Sequence, residues 1–275
     1  MKKITVCLYF GLLVSSLKAA TFTWNGGGTD ANWQTDANWS GGSKPAQDGS
    51  AVLAFSGGTR TAAANNFDAD TVFAGINLLN DASSGKTAAF TLSGNRLTLG
   101  GNIVSTSASS AITDTLSLPI LLSGTRTLTQ NNNHHLTISG VISETGGSFG
   151  LTKSGGGTLR LTGANTFTGP VTNSAGYLYF NSIKTIGGGA SALGAPTNVA
   201  NGTLRAAGRL YYNGSSSATT DRPLVVSGDL QFFNETPGTT LTLNGGITGS
   251  SVLSFRGSGG FSVTGLIARG SAGVG

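Results

Sequence analysis

Residues 150–178 are GLTKSGGGTLRLTGANTFTGPVTNSAGYL, and this stretch decides the fold. Between Thr158 and Thr162 two leucines alternate with polar residues, which is the period of a strand with one buried and one solvent-exposed face. Gly163 ends that strand, and residues 164–170 tolerate the left-handed or fixed dihedral angles of a corner. New extended segments follow, so the unit is strand, corner, strand.

The alternation also predicts the orientation of each side chain in this strand. Leu159 and Leu161 should point into a core, while Thr158, Arg160 and Thr162 should face solvent.

A short template built on the same idea recurs along the chain. It is apolar-x-apolar-x-Gly, a strand with two inward residues that ends at a corner. Several neighbouring matches lie about 16 to 23 residues apart, which is the coil length of a β-solenoid. Examples are Leu53-Phe55-Gly57, Leu97-Leu99-Gly101, Leu136-Ile138-Gly140, Leu159-Leu161-Gly163 and Leu241-Leu243-Gly245.

The opening stretch resembles the autotransporter-associated β-strand repeat of secreted bacterial passenger proteins. The matching residues are Leu151, Lys153, Gly155 to Thr158, Leu159, Leu161 and Gly163 to Gly169. The sequence departs from the repeat at Pro170 and Ala175-Gly176-Tyr177. The resemblance covers about thirty residues and implies one coil of a right-handed parallel β-helix on an exported or surface-exposed protein. It implies no chemistry.

An antiparallel β-sandwich is the competing fold. Asn-Gly and Asp-Gly pairs such as Asn25-Gly26, Asp48-Gly49 and Asn201-Gly202 are typical of hairpins. They serve the corners of a β-helix equally well, because both Asn and Gly accept positive φ. The family resemblance favours the all-β parallel β-helix, with about twelve coils and a length of order 60 Å.

Composition and the N-terminus indicate an exported protein. The 44 glycines and 10% charged residues exclude an ordinary helical enzyme. Residues 1–20 have two lysines, an apolar run and small residues at the end, which is the layout of a secretory signal peptide. Removing it takes away the single cysteine and three lysines, so the formal charge falls from +5 to +2. We therefore expect a secreted or outer-surface location, no disulfide, no nucleic-acid partner and no transmembrane domain in the mature chain.

Residues 21–50 contain all three tryptophans, Trp24, Trp33 and Trp39. They could form an aromatic platform for sugar rings, but the favoured interpretation is a Trp-rich N-terminal cap, because a solenoid otherwise exposes its first coil. Residues 51–275 would then be a passenger-like β-helix domain.

Two parts of that domain fit the template least. Residues 181–222 predict a broken coil with a loop excursion or a soft boundary. After Leu266 the sequence has no aromatic residue, and no charged residue besides Arg269, that could cover the apolar end of the last coil. We therefore expect a truncated passenger or a last coil that stacks on a partner.

The chemistry-bearing residues are sparse. Asp68 and Asp70 could form an acid–base pair on one side of a strand, although solvated turn residues are favoured. His134 and His135 are the only histidines, and we interpret them as part of a solvated corner rather than a metal site. The sequence therefore predicts no catalytic, metal or cofactor site.

The favoured function is a non-enzymatic, structural or adhesive β-solenoid passenger. Its expected partners are cell-surface or extracellular polysaccharide or other passenger coils. The alternative is a carbohydrate-active or carbohydrate-binding β-helix, the binding variant using Tyr177, Tyr179, Tyr211 and Tyr212.

Overall fold

The chain forms an all-β solenoid in a computed structural model that describes residues 19–80, 88–107, 112–131 and 134–269. The predicted signal peptide falls almost wholly outside these ranges, as does Cys7. Apart from one 3-10 turn at Asp36–Asn38 and one short α-helix at Val199–Gly202, the regular structure in these ranges is β-strand.

The strands are short, as expected for coils with frequent corners. In the first third they are β1 Ala20–Trp24, β2 Ala51–Phe55, β3 Ala62–Asn65, β4 Thr71–Phe73, β5 Gly75–Asn80, β6 Thr91–Gly94, β7 Leu97–Leu99, β8 Ile103–Ser107 and β9 Ile112–Leu116. The middle third holds β10 Ile120–Leu122, β11 Arg126–Gln130, β12 His134–Ile138, β13 Ile142–Glu144, β14 Leu151–Ser154, β15 Thr158–Leu161, β16 Val171–Asn173, β17 Tyr177–Phe180 and β18 Leu204–Ala206. The last third holds β19 Arg209–Tyr212, β20 Ala218–Thr220, β21 Leu224–Val226, β22 Leu230–Asn234, β23 Thr240–Leu243, β24 Ile247–Gly249, β25 Leu253–Gly257, β26 Gly260–Val263 and β27 Ile267–Arg269.

Successive strands are distributed over the sides of a coil. Sheet A has eleven strands in the order β1-β2-β5-β8-β11-β14-β16-β18-β21-β24-β27. Sheet B has nine, from β3 at one end to β25 at the other. A third side is formed by β4, β7, β10 and β13 in the first half and by β20, β23 and β26 in the second. From β2 onward, each coil runs from sheet A to sheet B and then to the third side, where a corner after β15 and a loop after β17 stand in place of a strand.

The parallel β-solenoid is confirmed and the antiparallel sandwich is wrong. Strands pair in parallel with the coils before and after them, for example β15 with β12 and β17. Antiparallel contacts in the described ranges are limited to isolated bridges such as Asn165 with Ser191. Eleven strands at about 4.8 Å spacing give a ladder of roughly 50 Å, slightly shorter than expected. The right-handed sense of the coil stays a prediction.

The inward and outward positions of β15 follow the predicted alternation with one correction. Leu159 and Leu161 are buried, and Arg160 and Thr162 are partly or fully exposed. Thr158 was expected to face solvent, but its side chain is only 4% exposed. It lies between His135 and Tyr177 in the neighbouring strands, and these larger residues cover it.

The three tryptophans are buried at the first coil. Trp24 and Trp39 meet edge to face at 5.2 Å, and all three rings surround Phe55 of β2. Each is at most 1% exposed, so the aromatic sugar platform suggested for them is wrong. The cap stays a prediction, and this packing is what it requires.

The basic residue of the repeat has a structural role inside the solenoid. Lys153 is 1% exposed, and its Nζ donates to the carbonyl oxygens of Ser154, Gly155 and Ala175 at 2.8, 2.6 and 3.0 Å. These carbonyls belong to the corners of two successive coils. Lys153 thus satisfies polar groups that a turning backbone leaves unpaired, and burial lowers the pKa of its ammonium to about 8.

The Gly-Ala-Asn-Thr-Phe-Thr-Gly segment forms the other corner of the repeat. The amide of Asn165 accepts from Ile142 N at 2.8 Å and donates to Ala192 O at 2.7 Å, which ties the coil to both neighbours. Phe167 fills the core beneath it. Gly163 is required because a Cβ there would lie 2.6 Å from Gly140 O. The residues of this motif therefore make contacts that join successive coils.

Residues 181–203 form a loop excursion, which is shorter than the irregular segment 181–222 that the sequence predicted, because β18, β19 and β20 already belong to the regular sheets. Sheets A and B continue across it, because β16 pairs with β18 and β17 with β19. The buried guanidinium of Arg222 anchors the excursion, donating hydrogen bonds to Gly202 O at 2.7 Å and to Leu193 O at 2.8 Å.

Leu159→Asp should destabilise the solenoid by about 3–5 kcal/mol, since it buries a carboxylate without a partner. Thr162→Asp, at an exposed position of the same segment, should melt like the wild type. Thermal unfolding followed by circular dichroism measures both. Equal melting of the Leu159 variant and the wild type would show that the register of β15 is wrong.

Lys153 should make stability rise with pH. The folded chain releases the Lys153 proton near pH 8, while an unfolded chain keeps it to about pH 10.4. Between these values the unfolded state binds more protons, so raising the pH favours folding. From pH 7 to 9.5 the unfolding free energy of the wild type should rise by about 1–2 kcal/mol relative to Lys153→Met. Urea unfolding at several pH values tests this, and a pH-independent difference would contradict it.

Deleting Thr21 to Trp39 should promote self-association. The deletion removes most of β1, leaves the edge of β2 without its partner and uncovers Phe55. Light scattering across a concentration series should show oligomers at concentrations where the intact chain is monodisperse. A deletion variant that remains folded and monomeric would argue against the cap.

Candidate interaction face

The two aspartates suggested as an acid–base pair do not lie together on a strand. Residues 68–70 form a turn before β4, and Asp70 has a left-handed φ of 68°. Arg96 donates to both oxygens of Asp70, at 2.5 and 2.7 Å, and these hydrogen bonds lower the pKa of Asp70. Asp68 is solvent-exposed. A paired, readily ionised carboxylate is a poor proton donor, so this geometry does not favour acid–base chemistry.

The histidines are not a solvated corner. His134 begins β12, is fully buried, and its Nε2 lies 2.8 Å from Asp114 Oδ2, which is also fully buried. His135 is on the opposite side of the strand and is partly exposed. Within the described ranges, no three His, Cys, Asp or Glu side chains come together as ligands for a metal ion.

The tyrosines separate into an inner and an outer set. Tyr212 was proposed as an exposed sugar contact, but it is 1% exposed and packs against Phe180 in the core. Tyr177, Tyr179 and Tyr211 lie at outward positions of β17 and β19. That separation follows from the alternation of side chains along each strand.

The outer residues of sheet B form a ladder across five coils. The strand register aligns Arg160, Tyr179, Tyr211, Phe233 and Arg256. Tyr211 stacks on Tyr179 at 4.2 Å and on Phe233 at 4.4 Å, with ring planes within 10°. These strands are about 4.8 Å apart, so the ladder is about 19 Å long.

The stacking occupies the faces of the central rings. Tyr211 is sandwiched and only 7% exposed, and Tyr179 has Tyr211 on one face and the guanidinium of Arg160 at 3.9 Å from the other. Stacking of a sugar ring on the faces of Tyr179 and Tyr211 is therefore disfavoured. What these residues present outward is their polar edges. Burial raises the pKa of both hydroxyls, so they remain neutral donors at physiological pH.

Arg209 completes the group on the second outward column. Its guanidinium lies 5.2 Å from the ring centre of Tyr177, and its Nη1 donates to Tyr177 Oη at 3.4 Å. Tyr177 in turn lies 6.1 Å from Tyr211. We call Arg160, Tyr177, Tyr179, Arg209 and Tyr211 the Arg–Tyr cluster.

Two depressions flank this cluster. At the start of β17 and β19, a depression of about 280 Å³ is lined by Gly176, Tyr177, Gly208, Arg209 and Asp229. At the other end of the same strands, a cleft of about 320 Å³ lies between the loop excursion and residues 216–219. Its polar lining includes Asn181, Ser182, Lys184, Thr185, Ser216 and Ser217. The surface across these coils therefore combines the Arg–Tyr cluster with two depressions, and we take it as the candidate for ligand contact.

The sequence suggested part of this face and missed the rest. Tyr177, Tyr179 and Tyr211 were singled out, whereas Arg160, Arg209 and Phe233 were not. The coil repeat in the sequence could have identified them, since residues at equal positions in successive coils become neighbours.

Two comparisons with known proteins found similar sequences. Residues 151–179 match the family model of the passenger-associated-transport-repeat. The adhesin BmaC autotransporter of Brucella suis biovar 1 (strain 1330) is 34% identical over 122 residues, which is 43% of this chain and 4% of that protein. The chain thus spans a small part of the length of that relative. No solved structure matches.

Among residues 19–80, 88–107, 112–131 and 134–269, no helix has the length and hydropathy that a bilayer crossing requires. The matched repeat coincides with β14 to β17, where Lys153 and Asn165 join successive coils. Residues 151–179 are therefore similar to one passenger-associated-transport-repeat, and this segment lies within a parallel β-solenoid.

Proposed function

We propose that this chain is a non-catalytic structural and adhesive segment of a passenger displayed on the outer cell surface or secreted. A signal peptide at residues 1–20 would direct its export. The relative with the matching segment is named as an autotransporter adhesin, which supports a surface role.

The observation that carries this proposal is the uninterrupted ladder of sheet A. Each of its inner strands is hydrogen-bonded to the coils on both sides, so stability is distributed along the length of the chain. The mature chain would hold together outside the cell without disulfides. Such a rod can carry side chains at fixed spacing away from a membrane, which is what an adhesive segment needs.

A carbohydrate-cleaving function is the weaker candidate. Its best carboxylates, Asp68 and Asp70, lie in a turn, and Asp70 is engaged by Arg96. Carbohydrate binding without cleavage is favoured by the Arg–Tyr cluster and its flanking cleft.

Adhesion can be measured with beads that carry the purified full chain. We expect coated beads to attach to host-cell monolayers and to surfaces coated with extracellular polysaccharide. Beads coated with Leu159→Asp have the same composition but a disrupted solenoid, and they should attach at the level of uncoated beads. Equal attachment of both coatings, or none by the wild type, would contradict an adhesive role of the fold.

The same preparation tests the absence of catalysis. Incubation with a panel of polysaccharides should release no new reducing ends. Release that disappears in Asp68→Asn/Asp70→Asn would instead establish the enzymatic alternative.

A further inference from the structure

The two arginines of the Arg–Tyr cluster are held in place but not neutralised. The guanidinium carbon of Arg160 lies 3.9 Å from the ring centre of Tyr179, and Arg209 donates a hydrogen bond to the hydroxyl of Tyr177. In the part of the chain that the structure describes, Arg96 forms an ion pair with Asp70, whereas neither Arg160 nor Arg209 forms one. A guanidinium packed against a ring keeps its N–H edge available, and that edge fits a carboxylate with two parallel hydrogen bonds.

We propose that the Arg–Tyr cluster binds the uronate carboxylates of an acidic polysaccharide. Arg160 and Arg209 take carboxylates, and the hydroxyls of Tyr177 and Tyr179 bond to sugar oxygens at their edges. The inference rests on the proposed adhesive function and specifies its ligand. Arg160 and Arg209 are two strands apart, on β15 and β19, so the cations are separated by about 10 Å along the solenoid axis.

The neighbouring cleft favours a sugar chain over an acidic peptide. Besides the apolar Ile183 and Ala218, its lining provides hydroxyl and amide side chains and one cation, Lys184, which suit a ligand rich in hydroxyl groups. A peptide commonly binds a sheet by adding a strand to an open edge. Here β17 is already paired with β15 and β19 on its two sides, so no edge is open beside the cluster.

Nearby carboxylates limit how densely charged the ligand can be. Asp229 lines the same depression as Arg209, and the charge of Glu235 contributes to raising the pKa of Tyr179 and Tyr211. These acids would repel a chain with several anionic groups on every unit. One carboxylate per sugar unit fits the mixed charge better.

The experiment uses isothermal titration of the full chain with oligogalacturonate, a linear uronate oligomer. Its methyl-esterified form is the neutral control with the same backbone, and poly-glutamate is the acidic peptide control. The test variant is Arg160→Gln/Arg209→Gln, and the matched control is Arg205→Gln, an exposed arginine on sheet A. Circular dichroism melting checks that each variant is folded, and Arg209→Lys replaces the double variant if that one is not.

We expect oligogalacturonate to bind the wild type and Arg205→Gln alike. The double variant should bind at least about tenfold more weakly, because two charge-assisted hydrogen-bonding groups are lost. Arg209→Lys should also bind oligogalacturonate more weakly, since lysine cannot make the bidentate contact with a carboxylate. The methyl ester and poly-glutamate should bind at least about tenfold more weakly than oligogalacturonate.

Three results would overturn the inference. They are equal affinity for the methyl ester, equal affinity for poly-glutamate, and unchanged affinity of a folded arginine variant. Absence of oligogalacturonate binding by the wild type would also overturn it. In that case the bead assay still decides adhesion separately, because it does not depend on the ligand named here.

Discussion

The parallel hydrogen-bonded ladder between coils is the constraint on which the rest of the structure depends. A strand such as β15 has partners in the coil before it and the coil after it, and its register to both is fixed. The chain must therefore turn at the same places in every coil and return about 4.8 Å along the axis. A shift by one residue would exchange the buried and exposed faces of a whole strand.

This constraint explains why the solenoid has polar side chains in its interior. Strands satisfy their own backbone groups through the ladder, but corners leave carbonyl and amide groups directed inward. Lys153 and Asn165 supply the missing partners in the repeat. Asn65 and Asn234 do the same elsewhere, bonding to Asn95 O and to Gly260 O. The buried His134–Asp114 pair belongs to the same interior, where burial of a polar group without a partner costs free energy.

The outer surface inherits its order from the same register. Tyr179, Tyr211 and Phe233 are far apart in sequence but occupy equal positions in successive coils, so their rings stack. Stacking stabilises the ladder and also occupies the ring faces. The cluster consequently offers hydroxyl and guanidinium edges, which recognise polar and anionic groups rather than apolar sugar faces.

The sequence by itself determined the fold class and the core register. Alternation identified Leu159 and Leu161 as buried, and the recurring glycine-ended template together with the resemblance of residues 150–178 identified a parallel solenoid, because strand period and corner chemistry are local properties. Only the tertiary structure decided which residues meet between coils. The pairing of His134 with Asp114, the cover over Thr158, the burial of Tyr212 and the stacking that joins Arg160 to Phe233 all depend on the lengths of corners and excursions. Those lengths set which residue of one coil lies above which residue of the next, and no local pattern contains that information.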